Sequence, residues 1–354
     1  MVHKDDVPPK VLPPLICILA GQSDMVGRGD PNALDKDMLD CIMQHCHQTF
    51  MRYEIDALSR EGRPSDSGGM FQPLTPRSQY SRAGERYSFG PEWGLAWELL
   101  QGYNNSNVLL QQRQNVYFVK FAAGSTSLHV DWKPEDGPLF AGLVTLVQDA
   151  VRQITVKLLE ESNNNNLDKN EENAAFKSVN TDICQEMMER NLLQHHTAFF
   201  WLQGHSDASG NAEMRNNYGN NFENFVRALR ATLLVPQSST DHDKVACLPW
   251  HAGTTTSLNF PLIASELDWP VDCNSKSSMR FAKRLAVVNR ALETACQELQ
   301  RSGIPCTFAT FPKDNDAPWF VLTHWEDGHC NNGGLISLGR NMMRCFMNSL
   351  TQDD

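Results

Sequence analysis

Residues Leu15–Gly29 read LICILAGQSDMVGRG. Five mostly apolar residues, Leu15 to Leu19, pass through a small residue into Gly21-Gln22-Ser23. The run reads as a buried strand, and Gly and Ser are ordinary residues for the turn that ends one. The same residues also carry a chemical reading. A serine on a sharp turn at the carboxyl end of a central strand stands at the rim of the sheet, where the catalytic groups of open α/β sheets collect.

The rest of the chain shows how that strand is housed. Further apolar strand candidates are Val116–Phe121, Ala198–Leu202, Lys244–Leu248 and Cys306–Phe311. Helix candidates are Glu92–Tyr103, Ala141–Glu160, Asn217–Leu234, Ser278–Ser302 and Gly334–Leu350. They carry apolar residues three and four apart, as in Phe222, Phe225, Val226 and Leu229. This alternation predicts an α/β protein: three α/β/α layers with a mostly parallel central sheet and helices on both faces. A charged, proline-rich tail (residues 1–14) precedes one domain over 15–350. Two polar stretches read as inserted loops: SREGRPSDSGG near 59–69 and SNNNNLDKNEEN near 162–173.

Bulk properties exclude several function classes. The 354 residues are 41% hydrophobic and 21% charged, ordinary for a globular protein with a sizeable core. A formal net charge of −11 argues against nucleic acid or an anionic membrane as a partner. No apolar run reaches the roughly 20 residues of a membrane span. The start, MVHKDDVPPKVLPP, has no apolar leader segment, which makes the cytoplasm the expected compartment, with a processed, secreted form left open. The 10 cysteines are scattered and form no CxxC pair. Cys41 and Cys46, beside His45 and His47, form the one dense group, but no second ligand pair stands at metal-site spacing. Free thiols are the expectation, and no metal site is assigned.

The later strand ends repeat the pattern of the first. VYFVKFAAGSTSLHVDW (116–132) ends in Gly-Ser-Thr-Ser, FFWLQGHSDA (199–208) ends in Gln-Gly-His-Ser-Asp, and THWEDGHCNNGG (323–334) opens onto the last helix. In a parallel sheet those ends share one edge. Serine, histidine, an acid and N–H donors together are what acyl transfer needs: a nucleophile, its base, an orienting group and an oxyanion hole.

Five blocks then carry a resemblance. GQSDM (21–25) resembles the GQSNM block of the carbohydrate-esterase branch of the SGNH hydrolases, which includes sialate O-acetylesterase-like domains and the acetylxylan esterases of carbohydrate esterase family 6. GPEWGLAWEL (90–99), FAAGSTSLHVDW (121–132), WLQGHSDA (201–208) and DGHCNNGGLISLG (327–339) resemble, in the family's order, its GPE helix start, its A-x-GGTS-x-x-x-W block, its W-x-QGESDA block and its D-G-x-HLT ending with a Leu-Gly pair.

The resemblance implies a flavodoxin-like SGNH fold and an esterase that removes acetyl groups from a carbohydrate or similar hydroxylated small molecule through an acyl-serine, with no cofactor. It implies Ser23 as nucleophile and His329 as base. The backbone N–H groups of Ser23 and Gly124 and the Gln203 amide would form the oxyanion hole. The triad acid is Glu326, three residues before the histidine, or Asp327. Trp132 would stack on a sugar ring or pack in the core, and His251 would touch substrate from a rim loop. The second glycine of GxSxG is Met25 here, which argues against the α/β-hydrolase nucleophile elbow.

Three positions depart from the pattern. Asp24 stands for asparagine, and it would either burden the nucleophile with a nearby charge or bond a neighbouring loop. Ser125 stands for a glycine, which restricts the backbone. His205 stands for glutamate, as a neutral loop change, as a substrate contact or at a cost in activity. Two other functions therefore stay in view: a catalytically impaired relative that serves as a binding module, and an esterase for a non-sugar ester.

Overall fold

The computed structural model describes residues 13–56, 65–81, 86–104, 115–165, 177–233, 260–268, 276–310, 330 and 332–350. In chain order the strands are β1 (Leu15–Gly21), β2 (Thr49–Ile55), β3 (Ser65–Asp66), β4 (Gln72–Pro73), β5 (Tyr80–Ser81), β6 (Arg86–Tyr87), β7 (Val116–Ala122), β8 (Thr197–Leu202), β9 (Leu262–Ser265) and β10 (Cys306–Ala309). The helices are α1 (Ser23–Val26), α2 (Lys36–Gln44), α3 (Glu92–Asn104), α4 (Pro138–Asn165), α5 (Lys177–His195), α6 (His205–Ser209), α7 (Ala212–Asn216), α8 (Tyr218–Leu233), α9 (Lys276–Arg301) and α10 (Asn332–Leu350).

The main sheet runs β10-β9-β8-β1-β7-β2-β3, with β4 also on β2. Its five pairings from β10–β9 through β7–β2 are parallel, and only the short β3 and β4 pair antiparallel, both with β2. All seven residues of β1 and all six of β8 are buried, so both strands read as near-continuous apolar runs covered on both faces. On one face α10 packs against α3, and α2 packs against α3. On the other lie α4, α5, α8 and α9. The expected α/β layering is therefore present.

Several boundaries differ from the sequence reading. β2 and β9 fill sheet positions for which no strand was expected. Lys244–Leu248 lies outside the described residues. Ser65 and Asp66, inside the stretch read as an inserted loop, pair with Ile55 and Glu54 and extend the sheet edge. α4 continues through Ser162 to Asn165, into the second polar stretch. Over Pro138–Ser162 this helix is long and apolar enough by length and composition to cross a membrane, and 56% of its apolar window is buried inside the protein, as for a core helix.

Two of the sequence blocks meet in packing. A methyl group built on Gly94 of α3 would overlap the carbonyl of Ile336, and one on Gly339 of α10 would overlap the carbonyl of Pro91. The glycines of GPEWG and of the terminal Leu-Gly pair thus let the last helix lie directly on α3. That contact fixes the position of α10 against α3.

Candidate functional site

β1 ends at Gly21, where any side chain would strike the carbonyl of Leu202 at the end of β8. Gln22 precedes the one-turn helix α1, and Ser23 is its first residue, 8% exposed. A first-turn N–H has no partner within its own helix, and among the described residues none accepts from Ser23 N–H or pairs with its hydroxyl. Gly124, in the loop after β7, lies alongside: a Cβ built there would stand 3.9 Å from Cβ of Ser23. The structure therefore brings Ser23 and Gly124 together.

The turn is held from below by a buried charge. Lys120 of β7, fully buried, donates to the carbonyl of Val26 at the end of α1 (2.8 Å), to Oε1 of Gln79 (2.7 Å) and to Oε2 of Glu92 (2.8 Å). Gln79 also donates to Val26 O (2.8 Å), and Gly90 N–H donates to Oε1 of Glu92 (2.6 Å). Burial lowers the ammonium's pKa, and Glu92 opposes that shift. The acid of the GPE block is thus the counter-ion of a lysine that anchors the serine's helix. A lysine inside VYFVKFA is the sequence signal for this network.

Gln203 follows β8 and is fully buried. Its amide group donates to Thr126 O (2.8 Å) and to Oδ2 of Asp207 (2.6 Å), and its Oε1 accepts from the Tyr218 hydroxyl (3.0 Å). Asp207, also fully buried, accepts in addition from Leu128 N–H (2.9 Å), the Ser127 hydroxyl (2.9 Å) and His129 N–H (3.2 Å). Burial raises its pKa, against the pull of these bonds. Asp207 stitches the loops after β7 and β8 together, a role the sequence reading missed.

Gly124 N–H is also engaged: it donates to Oδ1 of Asp56 at 3.1 Å. Asp56, the residue after β2, has a left-handed φ of 56°. Of the three expected oxyanion donors, two therefore face protein acceptors here, and Ser23 N–H remains.

Of the two placements left open for Trp132, the structure shows core packing. The residue is 0% exposed, sets its ring edge-on to Phe121, Trp201 and Phe225, and donates from Nε1 to the Thr126 hydroxyl at 3.0 Å. Such a ring offers no face for a sugar, and its N–H is already satisfied.

Asp24 is 2% exposed and does bond a neighbouring segment. Its Oδ1 accepts from Cys330 N–H at 3.1 Å, and its Oδ2 lies 3.6 Å from Nδ1 of His205. The Nε2 of His205 faces the carbonyl of Asp268 at 3.2 Å. With the Gln22 amide oriented to satisfy both its ends, its oxygen accepts from His205 Nδ1 (3.1 Å) and N–H (3.2 Å). A second tie joins the same regions: Asp30 N–H donates to Oδ1 of Asn332 at 2.8 Å. Cys330 is buried, and burial, then Asp24 and Asp268, push its thiol pKa well up.

His329, Glu326, Asp327 and His251 lie outside the described residues. Among the described residues no group of three or more His, Cys, Asp or Glu side chains is placed to hold a metal ion. His45, from the Cys/His group, faces the carbonyl of Cys41 at 2.9 Å.

No family model matches the chain, and no curated protein is similar to it. Among solved structures it is similar to an Arabidopsis thaliana protein determined by X-ray crystallography, with 15% identity over 96% of this chain and 99% of that one and a TM-score of 0.47.

Proposed function

We propose that this chain is a serine ester hydrolase of the SGNH type that removes acetyl groups from a carbohydrate or similar hydroxylated small molecule. The observation that carries the reading is the hydrogen bond from Cys330 N–H to Asp24, which spans 306 positions of sequence. It joins the residue after Ser23 to the residue after His329. That contact brings the described residue that follows position 329 in the sequence against the turn that carries Ser23, which supports the reading. Strand order adds support. Without β2, the strands β7-β1-β8-β9-β10 follow the flavodoxin-like order 2-1-3-4-5, in which ligands gather at the carboxyl ends beside the switch between β1 and β8. Ser23 follows the first of those strands and Gln203 the second.

In this mechanism the Ser23 hydroxyl attacks the acyl carbonyl while His329 takes its proton, with Glu326 or Asp327 orienting the imidazole. The developing oxyanion is met by Ser23 N–H and, once Asp56 yields it, by Gly124 N–H. One such donor contributes roughly 3 kcal/mol to lowering the barrier. The alcohol leaves with the proton from His329, and water then releases acetate from the acyl-serine by the same path in reverse roles.

One observation favours a second reading, a relative that binds without hydrolysing: the Gly124 N–H and the Gln203 amide already have protein acceptors. Turnover of p-nitrophenyl acetate separates the two. The hydrolase gives a rate well above buffer that Ser23→Ala removes, and an organophosphonate modifies Ser23 in the intact protein. A rate equal to buffer with no adduct leaves the binding reading. A preference for longer acyl chains over acetyl would move the substrate to a non-sugar ester.

A further inference from the structure

The half-buried Asp56 stands at the carboxyl end of β2, on the same sheet edge as the Ser23 turn. Two hydrogen bonds fix it there. Its N–H donates to Ala122 O at 2.8 Å, and its Oδ1 accepts from Gly124 N–H at 3.1 Å. A Cβ built on Gly124 would stand 3.5 Å from that oxygen and 3.9 Å from Cβ of Ser23, so the carboxylate and the serine flank the same glycine. The buried cation nearby is already balanced. Lys120 and Glu92 are both fully buried and pair at 2.8 Å, and the other contacts of the ammonium are Val26 O and Gln79. Burial lowers the pKa of Lys120, and Glu92, then Asp56, oppose that shift. Among the described residues no basic side chain forms an ion pair with Asp56.

Asp56 therefore does two separable things beside the serine. It occupies a backbone donor, which burdens every ester alike. It also fixes a negative charge at the site, which favours or opposes an ester according to the ester's own charge. We propose that Asp56 is a specificity-determining residue that selects neutral and cationic hydroxylated acetyl esters against acidic ones, such as sugars that carry a carboxylate or a phosphate. The inference rests on the hydrolase reading and narrows its substrate class. Asp56 acts here through its charge and takes no part in bond making. A partly buried charge is screened less by salt than an exposed one. At an effective dielectric near 20, a unit charge about 10 Å away feels it by on the order of tenfold in an equilibrium or rate constant. The net charge of −11 on the whole chain acts in the same direction at longer range.

The test uses three acetyl esters built on one phenol skeleton: p-acetoxybenzoate, which is anionic, methyl p-acetoxybenzoate, which is neutral, and p-acetoxyphenyl-trimethylammonium, which is cationic. For each, kcat/KM is measured at neutral pH with the full-length wild type, Asp56→Asn and Asp56→Gly. Asn and Gly both suit the left-handed backbone of this position, and both remove the charge. The ratio of variant to wild type cancels the intrinsic reactivity of each ester. In both variants that ratio should be at least about fivefold larger for the anionic than for the neutral ester, and at least about fivefold larger for the neutral than for the cationic one. A purely structural role, or competition for the Gly124 donor alone, would move the three ratios together. Ratios equal within about twofold, or ranked in the reverse order, overturn the selectivity and leave the hydrolase reading standing. Failure of the wild type to hydrolyse any of the three esters overturns the hydrolase reading itself, and the selectivity with it.

Discussion

Asp56 and Gly124 share a hydrogen bond of 3.1 Å, from the glycine N–H to the carboxylate, next to Ser23. Under the hydrolase reading negative charge develops at this position, and a carboxylate there opposes it and competes for its donor. Asp56→Asn keeps an acceptor oxygen and suits the left-handed backbone at this position, since Asn adopts it readily. It removes the charge. Under the hydrolase reading, kcat/KM for p-nitrophenyl acetate should rise about tenfold, equivalent to about 1.4 kcal/mol of barrier. Steady-state kinetics at fixed pH checks this, and a tenfold fall would mean that the carboxylate assists the reaction.

The buried Lys120–Glu92 pair predicts a large single-site loss and a smaller double one. Lys120→Met leaves the Glu92 carboxylate buried without its cation, which should cost about 3–5 kcal/mol. Lys120→Met with Glu92→Leu removes both charges and should recover most of that loss. Burial holds the lysine's pKa below its ordinary value. The folded state thus releases this proton before the unfolded chain does. Wild-type stability should rise, relative to the double variant, as pH climbs from the lowered value toward the usual lysine range. Urea denaturation of the three proteins at neutral and alkaline pH measures both effects.

Asp207 gives the opposite slope. Asp207→Asn turns an amide N–H₂ toward either the Gln203 amide and Leu128 N–H or the Ser127 hydroxyl and His129 N–H, all donors in the present arrangement. The loss should be about 2–3 kcal/mol, the cost of buried polar groups left without partners. Because burial raises the pKa of Asp207, the folded protein keeps a proton that the unfolded chain gives up at the same pH. Wild type should therefore gain stability relative to Asp207→Asn as pH falls through the raised value toward the ordinary carboxylate range. Thermal melts across mildly acid pH test the sign.

β1, β8 and α8 were legible in the sequence because their burial is complete or strictly periodic. β1 and β8 are apolar throughout, and α8 buries Phe222, Phe225, Val226 and Leu229 on one stripe. β2 was not legible because Arg52 and Glu54 interrupt it. Arg52 is nonetheless buried and reaches Asp149 of α4 at 3.5 Å. β9 has only four residues, LIAS, too few to show a period. In the site, Ser23 and Gly124 were legible because a strand running into a small-residue turn is a local signal. Lys120, Asp56 and Asp207 were not. Each is a single charge whose meaning depends on a partner at least 28 residues away, for Lys120 (120 minus 92), and 68 and 79 residues away in hydrogen bonds of the other two. Trp132 was ambiguous for the same reason: an aromatic after a loop looks alike whether it faces ligand or core.

Ser125 carries the one backbone strain in the serine–glycine turn region that a substitution can relieve. Its φ is 59°, in the left-handed region where a Cβ crowds the following carbonyl, at a cost of roughly 1–2 kcal/mol for a residue other than glycine. Glycine adopts this conformation freely but loses more backbone entropy on folding, roughly 0.5–1 kcal/mol. The strain outweighs the entropy by a small margin, so Ser125→Gly should stabilise the protein by about 0.5–1 kcal/mol, whereas Ser125→Val, β-branched at the same φ, should destabilise it by more than that. The neighbouring Gly124 N–H points at Asp56 in a geometry set by this turn, so the relieved backbone should also let that donor reorient, and the rate gain of Asp56→Asn should shrink in a Ser125→Gly background. Chemical denaturation of the single variants and a kinetic double-mutant cycle measure the two effects separately. A Ser125→Gly protein less stable than wild type would show that the serine hydroxyl, rather than its backbone, governs the position.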